Sequence, residues 1–163
     1  KAKWFNQQHL RLQPEADLVA DYRSEAAARG LSLPSDAFAL AAMQLFMDRA
    51  EFIGDTLEGA GYLFADPTSY DEVMVGKKWT AEAPGYVTDL KGVFAQTDYS
   101  EAALENAFKA YLADKGYGFG QVGPVLRLAI AGTTQGPSIF TVMQLIGQEA
   151  SERRIDQALT ALS

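Results

Sequence analysis

Cysteine is absent from the 163 residues and histidine occurs once, at His9. These two absences exclude disulfides, thiol catalysis, cysteine-based zinc or iron–sulfur sites and any histidine-rich metal cluster. Long hydrophobic runs are missing too. The longest, from about Phe38 to Met47, is interrupted by Gln44 and falls far short of the ~20 residues that span a membrane. Glycine and proline together number only 20, at 14 and 6 residues. With 48% apolar and 21% charged residues, the composition is that of a globular chain rather than a disordered one. The chain begins at Lys1 with no methionine and no charged-then-apolar leader, so a piece cut from a longer protein is expected.

Excess positive charge is also lacking. Fourteen basic and 21 acidic residues give a net charge of −7. Residues 1–65 carry 6 basic and 9 acidic groups, and residues 66–163 carry 8 and 12. No basic run exceeds the pairs Lys77-Lys78 and Arg153-Arg154. Charge alone therefore argues against a phosphate-rich partner.

What is present is helical spacing. Pro14 opens a segment through Leu18, Val19 and Tyr22 that Gly30 closes. Ser35 is an N-cap type ahead of Phe38, Ala41, Ala42 and Leu45. Pro84 opens a helix carrying Val87, Leu90 and Phe94. Ser100 precedes Leu104, Ala107, Phe108 and Tyr111, ending at Gly116. Val122, Val125, Leu126, Ala129 and Ile130 form a stripe that stops at Gly132. Pro137 starts Ile139, Val142, Met143 and Ile146, stopped by Gly147, and Ile155, Ala158, Leu159 and Leu162 form a last helix. No stretch alternates with period two, and no fixed repeat is visible. The expected fold is all-α: two small helical subdomains packed end to end, 1–65 and 66–163. The turn-rich stretch Ala65-Asp66-Pro67-Thr68-Ser69 divides them.

Gly118-Phe-Gly120-Gln-Val-Gly123 matches G-x-G-x-x-G, but dinucleotide and kinase loops need a strand before them, and a helix precedes this one. It reads as a glycine-rich turn between helices. No motif places a nucleophile near His9, which reads as a surface or capping residue. No spacing among the 21 carboxylates singles out an acid–base pair. Aromatic residues could serve as stacking platforms, although only Trp4, Phe5 and Trp79 stand apart from core spacing.

Two arginines stand out. Extending the stripe Phe38, Ala42, Leu45 reaches Arg49, a permanent cation on an apolar face that must snorkel, pair with an acid or face a cleft. Arg127 lies more than 100° off the Val122–Ile130 stripe at 100° per residue, so it is expected to point outward into solvent.

Several strings then occur in order. They are Lys1-Ala-Lys-Trp4-Phe5-Asn6, Gly120-Gln-Val, Leu126-Arg127-Leu-Ala-Ile-Ala-Gly132, Gly136-Pro137-Ser-Ile-Phe140, Leu145-Ile-Gly147 and Arg153-Arg154-Ile155-Asp-Gln-Ala-Leu159. In combination the chain resembles the C-terminal half of bacterial-type glutamyl-tRNA synthetase. The likeness is strong over 120–160, good over 1–10 and patchy between 66 and 115. It implies an all-helical anticodon-binding region of two subdomains, with residues 1–12 the tail of a stem-contact region. Its implied partners are the anticodon loop of tRNA(Glu) and the protein's own N-terminal catalytic domain. ATP, with Mg, would be used there, because the HIGH- and KMSKS-type motifs are not in this sequence. This piece is expected to need no cofactor or metal, to be cytoplasmic and monomeric, and to be catalytically inactive alone.

By position, the resemblance makes Arg49 the reader of the third anticodon base. Arg127 becomes a contact to the first, and the loop Gly136-Pro137-Ser138-Ile139 contacts the first and second bases, partly through its backbone. Gly136 stands where the family commonly has Ser or Thr, so a contact there falls to main chain. Val125 replaces a family proline, with Pro124 one place earlier, which is expected to alter the start of that helix. The missing catalytic half would supply most phosphate contacts. The competing reading is a helical protein–protein interaction module that binds no nucleic acid.

Overall fold

The computed structural model describes residues 2–163, so Lys1 of the opening string lies outside the described residues. Every regular element among them is helical, as the spacing predicts, and two compact units form, Lys1–Ala65 and Asp66–Ser163. No helix among the described residues is long and apolar enough to cross a membrane.

The first unit holds α1 (Ala2–Arg11), α2 (Glu15–Ala28) and α3 (Asp36–Phe46), followed by three 3₁₀ turns, Met47–Arg49, Ile53–Leu57 and Gly61–Leu63. Ser35 caps α3 as its side chain predicts, its hydroxyl accepting from the Phe38 amide at 3.1 Å. The core of this unit holds Tyr22 and Ala26 of α2, Ala39, Ala42 and Met43 of α3, and Leu57, Ala60 and Leu63 from the stretch that follows. Asp55 ties the turns together, because one carboxylate oxygen accepts from the amides of Glu51 and Phe52 at 2.9 and 3.0 Å. Helix α1 buries only Leu10. Polar contacts supplement that anchor: Asn6 donates to Glu51, and Arg11 pairs with Asp48 at 3.6 Å.

The second unit comprises α4 (Glu72–Lys78), α5 (Ala83–Phe94), α6 (Glu101–Lys115), α7 (Phe119–Ala131) and α8 (Ile139–Leu162). Helix α7 is its axis. Val122, Val125, Leu126, Leu128, Ala129 and Ile130 are all fully buried, among Leu90, Phe94, Phe108, Met143 and Ile155 of its neighbours. A helix buried on nearly every face is apolar almost all round, which explains why its stripe is wider than the spacing implied.

Helix α7 starts at Phe119, so Gly118 takes the N-cap position and Gly120 and Gly123 lie inside the helix rather than in a turn. Pro124 consequently falls within the helix, not at its start. Proline cannot donate to the carbonyl four residues back, which is that of Gly120. Lys78 Nζ approaches that carbonyl instead, at 3.4 Å.

Gly132 ends α7 with φ of +75°, and a Cβ there would lie 2.6 Å from the Ser69 carbonyl oxygen. The Gly132 carbonyl in turn accepts from the Asp71 amide at 2.9 Å. Only glycine satisfies both the left-handed backbone and this close approach. Gly147, with φ 88° and ψ 170°, kinks α8. The helix resumes at once, so the last helical stretch begins well before Ile155.

Candidate functional site

Arg127 does not point into solvent as expected. Its guanidinium Nη1 donates to the Pro137 carbonyl oxygen at 2.8 Å, and the side chain is half-buried. The helix is buried on its other faces, so this half-buried side is where a cation keeps part of its hydration. The loop between α7 and α8 supplies the carbonyl. Two separately predicted site elements, Arg127 and the 136–139 loop, thus meet in one place.

Within that loop the residues differ in what they offer. Gly136 is exposed with φ of 129°, and Thr133 Oγ1 accepts from the Gln135 amide at 3.2 Å. Pro137 is half-buried with its carbonyl committed to Arg127. Ile139 is 4% exposed, begins α8 and belongs to the core, as its place on the stripe with Val142 and Met143 predicts. Anything Ile139 offers a ligand comes from main chain. Ser138, between them, is exposed and occupies the N-cap position of α8 without capping it by its side chain.

Arg49 is a second correction. The α-helical register does not reach it, because α3 ends at Phe46 and Met47–Arg49 is a 3₁₀ turn. The buried residues of α3 are Ala39, Ala42 and Met43, with Phe38 and Leu45 only half-buried. Arg49 is exposed and forms no ion pair or hydrogen bond among the described residues. Of the three options open to a stripe arginine, it takes none; it leaves the stripe.

The rule of a cation on an apolar stripe does identify a residue, but it is Arg154. Ser151, Arg154, Ile155 and Ala158 form the buried face at the end of α8, and Arg154 is 2% exposed. Its Nη1 donates to the Ile130 carbonyl at 2.8 Å, and its Nε donates to Asp66 Oδ1 at 3.0 Å. Asp66 also accepts two hydrogen bonds from Arg153, at 2.6 and 3.0 Å, and one from Gln157 at 3.2 Å. The Arg153 hydrogen bond first, then those and the charge of Arg154, hold the Asp66 carboxyl down at about 2. Burial lowers the Arg154 pKa while Asp66 opposes that effect. This network fixes the end of α7 against α8, on either side of the Arg127 loop. Sequence reasoning noticed the arginine pair but not its acid, which is 87 and 88 residues distant.

No cluster of His, Asp or Glu among the described residues could hold a metal ion. The G-x-G-x-x-G string follows α6, with Gly118 at the N-cap of α7 and Gly120 and Gly123 inside it, and lacks the preceding strand of a dinucleotide or kinase loop.

A family profile described as "Anticodon binding domain" matches residues 10–159. The glutamate–tRNA ligase of Flavobacterium johnsoniae is 32% identical over 163 residues, 99% of this chain and 32% of that protein. That of Porphyromonas gingivalis strain W83 is 32% identical over 165 residues, again 99% of this chain and 32% of the relative. The chain spans about a third of the length of these curated relatives. Among solved structures, it is similar to a glutamate tRNA ligase from Elizabethkingia meningosepticum in complex with its amino acid. That match has TM-score 0.90 and 29% identity, over 99% of this chain and 32% of the other. The glutamate–tRNA synthetase of Elizabethkingia anophelis matches with TM-score 0.86 and 27% identity, over 98% and 31%.

Proposed function

The chain belongs to the anticodon binding domain family, and on that footing we propose that it is the part of a glutamate–tRNA ligase that reads the tRNA(Glu) anticodon. The observation that carries this reading is the 2.8 Å contact between Arg127 and the Pro137 carbonyl. It gathers the arginine assigned to the first anticodon base and the loop assigned to the first and second at one exposed edge of the second unit. A guanidinium is a rigid planar fork of donors, so the bond to Pro137 fixes the orientation of that fork beside the loop. The exposed Gly136 leaves main chain accessible, where no side chain obstructs a base.

Arg49 reads the third base in this proposal, from an exposed turn rather than a packed helix face. Its chemistry suits cytosine, whose Watson–Crick edge presents acceptors at O2 and N3, over guanine, which presents donors at N1 and N2. Glutamate activation with ATP and Mg belongs to the remainder of the ligase, in the cytoplasm, and this chain acts as a monomeric unit within it.

A titration with a tRNA(Glu) anticodon hairpin against a scrambled-loop hairpin tests the reading. Preferential binding of the matching hairpin is expected. Equal binding of both, or of neither, overturns it, and the acidic net charge of −7 would then favour a helical protein-interaction module.

A further inference from the structure

The chain contains two adjacent basic pairs, and the fold treats them differently. Arg153-Arg154 is committed to Asp66. Lys77 and Lys78, at the C-terminal end of α4, form no ion pair with a carboxylate among the described residues. Lys78 is drawn over the α7 carbonyl that Pro124 cannot satisfy, with Nζ 3.4 Å from the Gly120 oxygen. Lys77 stays exposed beside it.

Both lysines line an open cleft of about 420 Å³ together with Tyr86, Tyr117 and Gln121. The aromatic wall is held from behind. Tyr117 lies 4.9 Å from the Tyr86 ring and 6.1 Å from the Tyr111 ring. The Tyr111 hydroxyl donates to Asp89 at 2.9 Å, and Gln121 Nε2 donates to the Tyr86 hydroxyl at 2.5 Å. Tyr86 is buried, while Tyr117 is only partly covered. Glu82 is the single carboxylate among the lining residues. The cleft therefore stays net positive in a chain whose net charge is −7.

We propose that this cleft takes one nucleotide of the bound RNA, outside the bases read at the Arg127 loop. A backbone phosphate sits against the ammonium groups of Lys77 and Lys78, and its base lies on the open part of Tyr117. Ammonium groups hold phosphate as point charges, and an aromatic face stacks any base, so the subsite contributes affinity without sequence preference. Gln121 and Arg127 lie on the same helix, roughly 9 Å apart along its axis, a separation within the width of an RNA hairpin. The cleft also bears on charge: phosphate contact here is independent of any catalytic domain. The inference rests on the RNA-binding reading above.

The test uses the full chain, the tRNA(Glu) anticodon hairpin and a hairpin with a changed loop, titrated at several salt concentrations. Lys77→Gln, the double variant Lys77→Gln/Lys78→Gln, and Tyr117→Leu are compared with wild type, with circular dichroism as the check on folding. Lys77→Gln is expected to weaken every RNA that wild type binds by the same severalfold factor. It should lower the slope of log K against log salt by ~0.7 for one lost phosphate contact. Tyr117→Leu is expected to weaken binding about fivefold or more with the slope unchanged. Wild-type binding that survives Lys77→Gln and Tyr117→Leu with the same affinity and slope overturns the cleft. If wild type binds neither hairpin, the RNA-binding reading fails and this inference falls with it.

Discussion

Arg127 on α7 holds the carbonyl of Pro137, ten residues further along the chain, by a 2.8 Å hydrogen bond from Nη1. The contact spans the loop that separates two helices and makes one side chain responsible both for the loop's shape and for its positive charge. On the proposed reading, recognition and local stability are coupled at this point, and a substitution is expected to move both.

Arg127→Ala is expected to weaken binding of the matching hairpin by ~1–3 kcal/mol, and to relax preference at the first anticodon position. The folded state should also lose about 0.5–1.5 kcal/mol, the net worth of one hydrogen bond. Thermal melts and hairpin titrations measure the two effects separately. An unchanged melt would show that the loop holds its shape without Arg127, and equal weakening on every loop sequence would move the arginine to the phosphate backbone.

Arg49→Gln is expected to narrow the preference for C-ending over G-ending anticodons, since glutamine both donates and accepts. Stability should shift by less than about 0.5 kcal/mol, because the side chain is exposed and unpaired among the described residues. Affinities for both hairpins at one stated salt concentration decide the matter. An unchanged ratio leaves Arg49 a solvated cation.

Asp66 predicts a pH dependence. Its carboxyl is held at about 2 against an ordinary 3.8, first by the Arg153 hydrogen bond. A carboxylate with a lowered folded-state pKa contributes stability that is complete above the unfolded value and is lost as pH falls toward the folded one. The Asp66 contribution should be constant from neutrality to about pH 5 and disappear between roughly pH 4 and 2. Asp66→Asn should remove that part of the acid-denaturation profile. At neutral pH it should cost about 1–3 kcal/mol, because it leaves the buried Arg154 without its anion. Denaturant melts of both proteins across this range provide the comparison, and parallel profiles would rule the network out as their cause.

Gly132→Ala should destabilise the second unit by roughly 1–3 kcal/mol. The substitution puts a Cβ on a residue at φ +75° and within 2.6 Å of the Ser69 carbonyl. A melt within a few tenths of a kcal/mol of wild type would show that the 66–71 segment shifts freely.

Incubated with ATP, glutamate and tRNA, the chain should form no glutamyl-adenylate and charge no tRNA, since neither a HIGH- nor a KMSKS-type motif occurs in its sequence to hold the adenylation transition state. Turnover that survives removal of contaminants would contradict this.

Local physics was legible in the sequence. Ser35 and Ser100 cap the helices they precede, and Gly116 and Gly132 end theirs in left-handed conformation. Each depends on a few neighbouring residues. Two helices escaped notice for the same reason: α1 buries only Leu10 and α4 buries nothing, so neither carries a stripe to read. The candidate site divides along the same line. The types and order of Arg127, Gly136 and Pro137 are in the sequence, but their meeting is not.

By itself, the sequence determined an all-helical chain, the caps that punctuate it, and which residue types could meet a base. Tertiary structure alone decided how each cation is used. It ended α3 at Phe46 and so turned Arg49 out of the core, while it turned Arg154 inward onto Ile130 and Asp66. It brought Lys78 to the carbonyl that Pro124 left unsatisfied, 42 residues away in the chain. Helix periodicity is a local property of the backbone, set over three or four residues. The partner of a buried or half-buried charge is chosen by whatever the packed helices place within hydrogen-bonding distance, and no local pattern encodes that choice.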